Sequence, residues 1–111
     1  MKDNHLPFTL GQHYENWEFD LEILEIERIR GYDSYLYLKE IQIFDNKAYY
    51  IELIFLFDIL EFVLLMFSFS SKEELIEFTS KIKNQYTDLY CRENGLYAEL
   101  YYGKLKDKAH F

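Results

Sequence analysis

Between Ala48 and Phe69 the chain offers little but large apolar residues, and this run limits the fold more than any other stretch. Tyr50-Ile51-Glu52-Leu53-Ile54-Phe55-Leu56-Phe57 leads into Asp58-Ile59-Leu60-Glu61, and Phe62 to Phe69 follows. A membrane-spanning helix needs roughly 20 apolar residues. Asp58 and Glu61 would fall near its middle, at a cost on the order of 3 kcal/mol each, with Glu52 besides, so no membrane is expected. Aromatic and β-branched enrichment favours two strands, about 48–57 and 62–69, around a tight reversal at 58–61. One buried helix across residues 50–66 is the alternative, because so dense a run has no readable period. As strands, both segments are apolar on both parities, so both faces of their sheet need cover.

A second constraint lies upstream, from Glu15 to Arg30. Trp17, Phe19, Leu21 and Ile23 alternate with Glu18, Asp20 and Glu22. Alternate positions sit about 200° apart on a helix, so this pattern predicts a strand with one buried and one acidic face. The phase changes at Ile23-Leu24, where a bulge or bend would re-aim Leu24 and Ile26. Gly31-Tyr32-Asp33-Ser34 supplies turn chemistry before a second strand over about 35–44, and Asp45-Asn46-Lys47 supplies another. Leu6-Pro7-Phe8-Thr9-Leu10 reads as a short extended piece.

Beyond Phe69 the period changes. Ser71-Lys72-Glu73-Glu74 is a capping box, and Leu75, Ile76, Thr79, Ile82, Tyr86 and Leu89 follow at helical steps. Asn94-Gly95 can end that helix. Leu96 to Tyr102 reads as a last strand, and Gly103 opens a lysine-bearing tail expected to fray. The expected fold is one α+β domain over residues 1–111. It is a mainly antiparallel sheet of about five strands, order β-β-β-β-α-β, with one amphipathic helix on one face. The other face must curl on itself, be covered by the N-terminal segment, or meet another chain, a homodimer included.

A fifth of the 111 residues are aromatic (20%), which excludes a disordered chain. The single cysteine, Cys91, and an opening Lys2-Asp3-Asn4-His5 without a signal-peptide pattern point to the cytoplasm. The net charge of −8 is concentrated: residues 1–62 hold 13 acids against 5 bases, and residues 63–111 hold 7 of each. Without Lys/Arg clusters, direct binding to nucleic acid is not expected, whereas a basic protein partner is.

No spacing nominates a metal site, a cofactor or a nucleophile. His5, His13, His110 and Cys91 lie far apart, with His13 and His110 read as surface residues, and no Gly-x-Ser-x-Gly occurs. An enzyme is therefore not expected. The carboxylates Glu15, Glu18, Asp20, Glu22, Glu25 and Glu27 admit three readings: a solvated face, an acid–base couple, or a docking face. The eleven tyrosines either fill sheet surfaces or serve binding, for which Tyr is favoured. Candidate partner-binding residues are Glu18, Asp20, Glu22, Glu25, Glu27, Tyr32, Asp33 and Tyr35.

The run from Leu6-Pro7-Phe8-Thr9-Leu10-Gly11-Gln12-His13-Tyr14-Glu15-Asn16-Trp17 through Glu18-Phe19-Asp20-Leu21-Glu22, with Gly31-Tyr32-Asp33-Ser34-Tyr35, resembles the opening of small immunity proteins encoded beside bacterial contact-dependent-inhibition and other polymorphic toxins. The resemblance covers about a third of the chain and carries no functional motif across. It implies a cytoplasmic protein that binds and neutralises one toxin domain, often a nuclease. Two other functions compete: a nucleic-acid mimic inhibiting a restriction or CRISPR nuclease, and a homo-oligomeric structural or ligand-binding domain.

Overall fold

The structure, a computed structural model, describes residues 6–103. In chain order the strands are β1 (Leu21–Ile23), β2 (Asp33–Tyr37), β3 (Gln42–Ile43), β4 (Asn46–Lys47), β5 (Tyr50–Leu56) and β6 (Ile59–Ser68). The helix α1 (Lys72–Gln85), β7 (Tyr90–Asn94) and β8 (Tyr97–Gly103) complete the series. Six of the strands form one sheet in the order β1-β2-β5-β6-β8-β7, every neighbour antiparallel, while β3 and β4 make a separate hairpin. The fold is α+β, mainly antiparallel with one helix. Its main sheet runs β-β-β-β-α-β-β along the chain, one strand more than expected.

The apolar run forms two strands, not a helix. β5 and β6 pair from Tyr50↔Met66 to Leu56↔Ile59, and the reversal is tighter than 58–61, taking only Phe57 and Asp58. Both turn residues have left-handed φ, 50° and 65°, which matches the right-handed twist of a hairpin but usually calls for Asn or Gly. Ile54 faces Phe62 while Phe55 faces Leu60, so Glu61 is an extra residue that bulges β6. Leu60 and Val63 are thereby returned to one face and Phe62 goes to the other. Gly103 lies across from this bulge, where a Cβ would sit 2.6 Å from the Glu61 carbonyl oxygen. Only glycine lets the strands approach there.

Apolar side chains on both faces of β5 and β6 make two cores. On the first face Leu53, Phe55, Val63, Leu65, Phe67 and Leu100 are buried. Leu75, Phe78 and Ile82 of α1 cover part of it, Phe78 lying 4.8 Å from Phe67 between ring centroids. The N-terminal segment covers the rest: Phe8 packs edge-on to Tyr37, and Trp17 against Phe55. Each such ring contributes roughly 1.5–3 kcal/mol by burial. On the second face Ile54, Phe62, Leu64 and Tyr101 form a smaller core, packed by Ile29 and Tyr32 from the irregular segment 24–32. The N-terminal segment thus shares the helix's face, and a loop covers the other.

Several expectations need correction. The alternating stretch does not form a strand from Trp17. Residues Glu18–Asp20 make a 3-10 turn and only Leu21–Ile23 pair, on the sheet edge. Trp17 is buried, its indole donating to the Pro7 carbonyl at 3.0 Å, but Phe19 is 91% exposed and Ile23 67%. Just before this stretch the chain is held at the β5–β6 turn, where Gly11 and Tyr14 donate to the Leu60 and Asp58 carbonyls and His13 bridges Ile59. Of the bulge or bend expected after Ile23 it is the bend that forms, at Glu25, where β1 has ended. Residues 6–10 have no regular structure, although Phe8 is buried. The expected strand over 35–44 is instead β2 followed by the β3–β4 hairpin. The helix starts as expected, Ser71 Oγ accepting from the Glu74 amide at 3.3 Å, but it ends at Gln85. Asn94-Gly95 turns between β7 and β8, and β7 was hidden by its polar Cys91-Arg92-Glu93-Asn94. His5, His110 and the lysine-bearing tail lie outside the described residues.

Candidate functional site

The eight candidate binding residues do not form one face. Three gather at the β5–β6 turn. Tyr35 of β2 stacks on Tyr14 (ring centroids 6.2 Å apart, planes at 19°) and meets the edge of Phe55. A hydrogen bond to Glu18, then that residue's charge, raises the Tyr14 phenol above its usual range, with Asp58 adding to it. Burial, then Asp33 and Asp58, raises Tyr35. Glu18, Asp33 and Asp58 therefore surround this tyrosine pair.

Asp20 lies at the other end of β2, where its carbonyl accepts from Leu38 and its carboxylate meets Lys39 at 3.4 Å. Glu22 on β1 and Glu25 and Glu27 in the segment 24–32 are exposed, and among the described residues none of the three has an ion-pair partner. Among the described residues, Asp20 alone of the alternating carboxylates is tied to an internal cation. Tyr32 is turned inward, onto the second core.

Sequence reasoning missed the polar arrangement beneath that segment. Glu52 sits mid-strand in β5, fully buried. Arg28 grips it with both ends of its fork, Nε to Oε2 and Nη2 to Oε1, each at 2.8 Å, and the Tyr50 hydroxyl donates to Oε1 at 2.6 Å. That bond holds Arg28 charged to above its ordinary range. Burial, followed by the Glu52 hydrogen bond, pushes the Tyr50 phenol from 10.0 up to about 12. The available signal was a lone glutamate inside an apolar run, followed 24 residues back to the first base after six acids.

A second set repeats the chemistry. Arg92 on β7 donates to Glu99 on β8 at 3.1 Å, and the Tyr101 hydroxyl donates to Glu99 at 3.0 Å. Burial, then the bond to Glu99, raises Tyr101 as well. Register places both sets on the second face in neighbouring rows: Glu52, Leu64, Tyr101 and Tyr90 in one, Tyr50, Met66, Glu99 and Arg92 in the next. Tyr49, Tyr90 and Tyr97 stand half-exposed around them.

These groups hold structure and leave little free for acid–base chemistry, since each carboxylate already accepts from an arginine and a tyrosine. Beyond Leu36↔Glu52 the strands β2 and β5 part, leaving a crevice of about 260 Å³ lined in part by Lys39, Glu40, Lys47, Tyr49 and Tyr50. Its cations are engaged, Lys47 with Glu40 at 2.8 Å and Lys39 with Asp20, so it offers no anion site. Among the described residues no three His, Cys, Asp or Glu side chains converge to hold a metal, and no helix is long and apolar enough to cross a membrane. Cys91 is partly buried, which pushes its thiol up to about 11.

Comparison with known proteins returns no match: no family model, curated protein or solved structure aligns significantly with the chain.

Proposed function

We propose that the protein is a binding module for a basic protein partner, of the immunity type that its N-terminal third resembles. It would act in the cytoplasm by covering the cationic substrate cleft of a toxin domain, a nuclease being the expected class. The supporting observation is the exposure of the carboxylates Glu22, Glu25 and Glu27. Among the described residues these three side chains have no ion-pair partner; Glu22 stands on β1, and the segment carrying Glu25 and Glu27 is pinned by the Arg28–Glu52 bond. Free charge on a fixed support lowers the reorganisation needed at docking and steers encounter.

The experiment pairs the purified chain with the protein encoded by the gene immediately upstream and follows association by stopped flow. Expected are an association rate that falls steeply with salt and a loss of about 10-fold or more on Glu22→Lys/Glu25→Lys/Glu27→Lys. A rate indifferent to both salt and charge reversal would remove the electrostatic basis. Growth protection against the expressed toxin domain is the functional counterpart.

A second use is favoured by the half-exposed Tyr49, Tyr90 and Tyr97 on the second face: contact with another copy of the chain. Sedimentation would show it as a dimer that responds to concentration and to a Tyr97→Ser change, and not to the acidic triple variant.

A further inference from the structure

Two hairpin turns in this protein carry the same dipeptide in the same conformation. Phe44-Asp45 joins β3 to β4 with φ of 50° and 63°, and Phe57-Asp58 joins β5 to β6 with φ of 50° and 65°. A side chain with a Cβ pays roughly 1–2 kcal/mol for that region, and a phenylalanine there is uncommon. At Phe44 the ring has a structural use: it packs edge-on to Phe78 at 6.3 Å, against Tyr86 at 5.9 Å, and beneath the Lys81 ammonium at 5.7 Å. At Phe57 there is no such use. The ring is 88% exposed, and among the described residues it makes no aromatic contact.

The surroundings of Phe57 define what could meet it. Asp58 shares the turn, Asp33 pairs across from Phe55 at the end of β2, and Glu18 lies against Tyr14, whose amide bonds the Asp58 carbonyl at 2.8 Å. None of these three carboxylates has an ion-pair partner among the described residues. An apolar ring projects from a negative collar, on a hairpin whose strands pair from Tyr50↔Met66 to Leu56↔Ile59 with one bulge at Glu61. The complement is an apolar socket rimmed by lysine or arginine.

We propose that the β5–β6 turn is the anchor of the partner contact, with Phe57 entering an apolar socket on a basic protein and Asp33, Asp58 and Glu18 meeting the cations at its rim. This deepens, and rests on, the reading of the chain as a module for a basic protein partner. It assigns the desolvated centre of the contact to Phe57 and leaves Glu22, Glu25 and Glu27 to steer, in line with interfaces that concentrate affinity in a few buried anchors.

The test selects a displayed random-peptide library on the full chain and measures selected peptides against variants. Phe57→Gly is the main variant, because glycine accepts the turn's backbone and leaves the hairpin intact; Asp58→Asn is the second, since Asn also tolerates it. Expected are peptides that combine an apolar residue with flanking Lys or Arg, binding at least 10-fold more weakly to Phe57→Gly and more weakly to Asp58→Asn. Basic peptides that bind Phe57→Gly as well as wild type but are lost with Glu22→Lys/Glu25→Lys would overturn the anchor and leave the acidic reading standing. Selection of no basic peptides would overturn both. A dimer of the wild-type chain abolished by Phe57→Gly would name a second copy as the occupant and likewise overturn the proposal.

Discussion

Glu52 and Glu99 are held by the same two kinds of group, an arginine and a tyrosine two positions away on the same strand, yet they do different work. Around Glu52 the carboxylate is wholly enclosed and the Arg28 side chain only 20% exposed; around Glu99 the Arg92 side chain is 44% exposed. The origin of the arginine differs more. Arg92 comes from β7, already laddered to β8. Arg28 comes from the irregular segment 24–32, whose Leu24 amide bonds the Ser34 carbonyl of β2. One pair helps fasten an irregular segment, with Ile29 and Tyr32, over an apolar face, while the other joins strands already paired through their backbones. A salt bridge's importance thus follows its burial and what its partner residue is attached to.

The largest effect expected from this contrast is in Arg28→Ala, which leaves Glu52 buried and unpaired and should lower stability by about 3–5 kcal/mol in urea titration. A loss below about 1 kcal/mol would erase the distinction between the two sets. Next, Phe44→Ala should cost about 2 kcal/mol or more through lost ring packing, whereas Phe57→Gly should leave stability unchanged or raise it slightly. Melting of the two variants side by side checks this.

Alkali probes the Glu52 set by a milder route. The folded Tyr50 phenol titrates at about 12 against 10.0 for a free one, so the fold favours the neutral form. Its contribution is whole below pH 10 and is lost as pH climbs from 10 toward 12. Tyr50→Phe should flatten that decline, measured as the denaturant midpoint at pH 9 and pH 11. The smallest effect belongs to Arg92→Ala, about 0.2–1 kcal/mol, and it should shrink further in high salt.

The sequence was legible wherever local chemistry decided the outcome. Ser71 and Glu74 announce the helix start because capping involves neighbours three residues apart. The density of β-branched and aromatic residues in 48–69 announced β5 and β6. Residues 17–23 misled because period two records only which side chains are apolar. Trp17 is buried by its bond to Pro7 and by contact with Phe8, whereas Phe19 finds nothing to cover it. β7 escaped notice because an edge strand needs no apolar face, and its residues are mostly exposed. At the candidate site, the exposed Glu22, Glu25 and Glu27 were readable as charge. The Arg28–Glu52 grip joins residues 24 positions apart, and no local pattern encodes such a meeting. Tyr35 is set on the first face by β2 register, whereas Tyr32 reaches the second core from the irregular segment before β2, and only the finished sheet defines both positions.

The two-residue reversal at Phe57-Asp58 also sets a timetable. Because β5 and β6 adjoin in the chain, closing them needs almost no loop entropy, while β6 must wait for the whole of α1 and β7 before β8 can arrive. The central hairpin is accordingly the natural nucleus: Leu53→Ala should slow refolding, and Leu100→Ala should mainly hasten unfolding, in stopped-flow chevrons. The turn that presents Phe57 to the outside would then be among the first parts of the molecule to take shape.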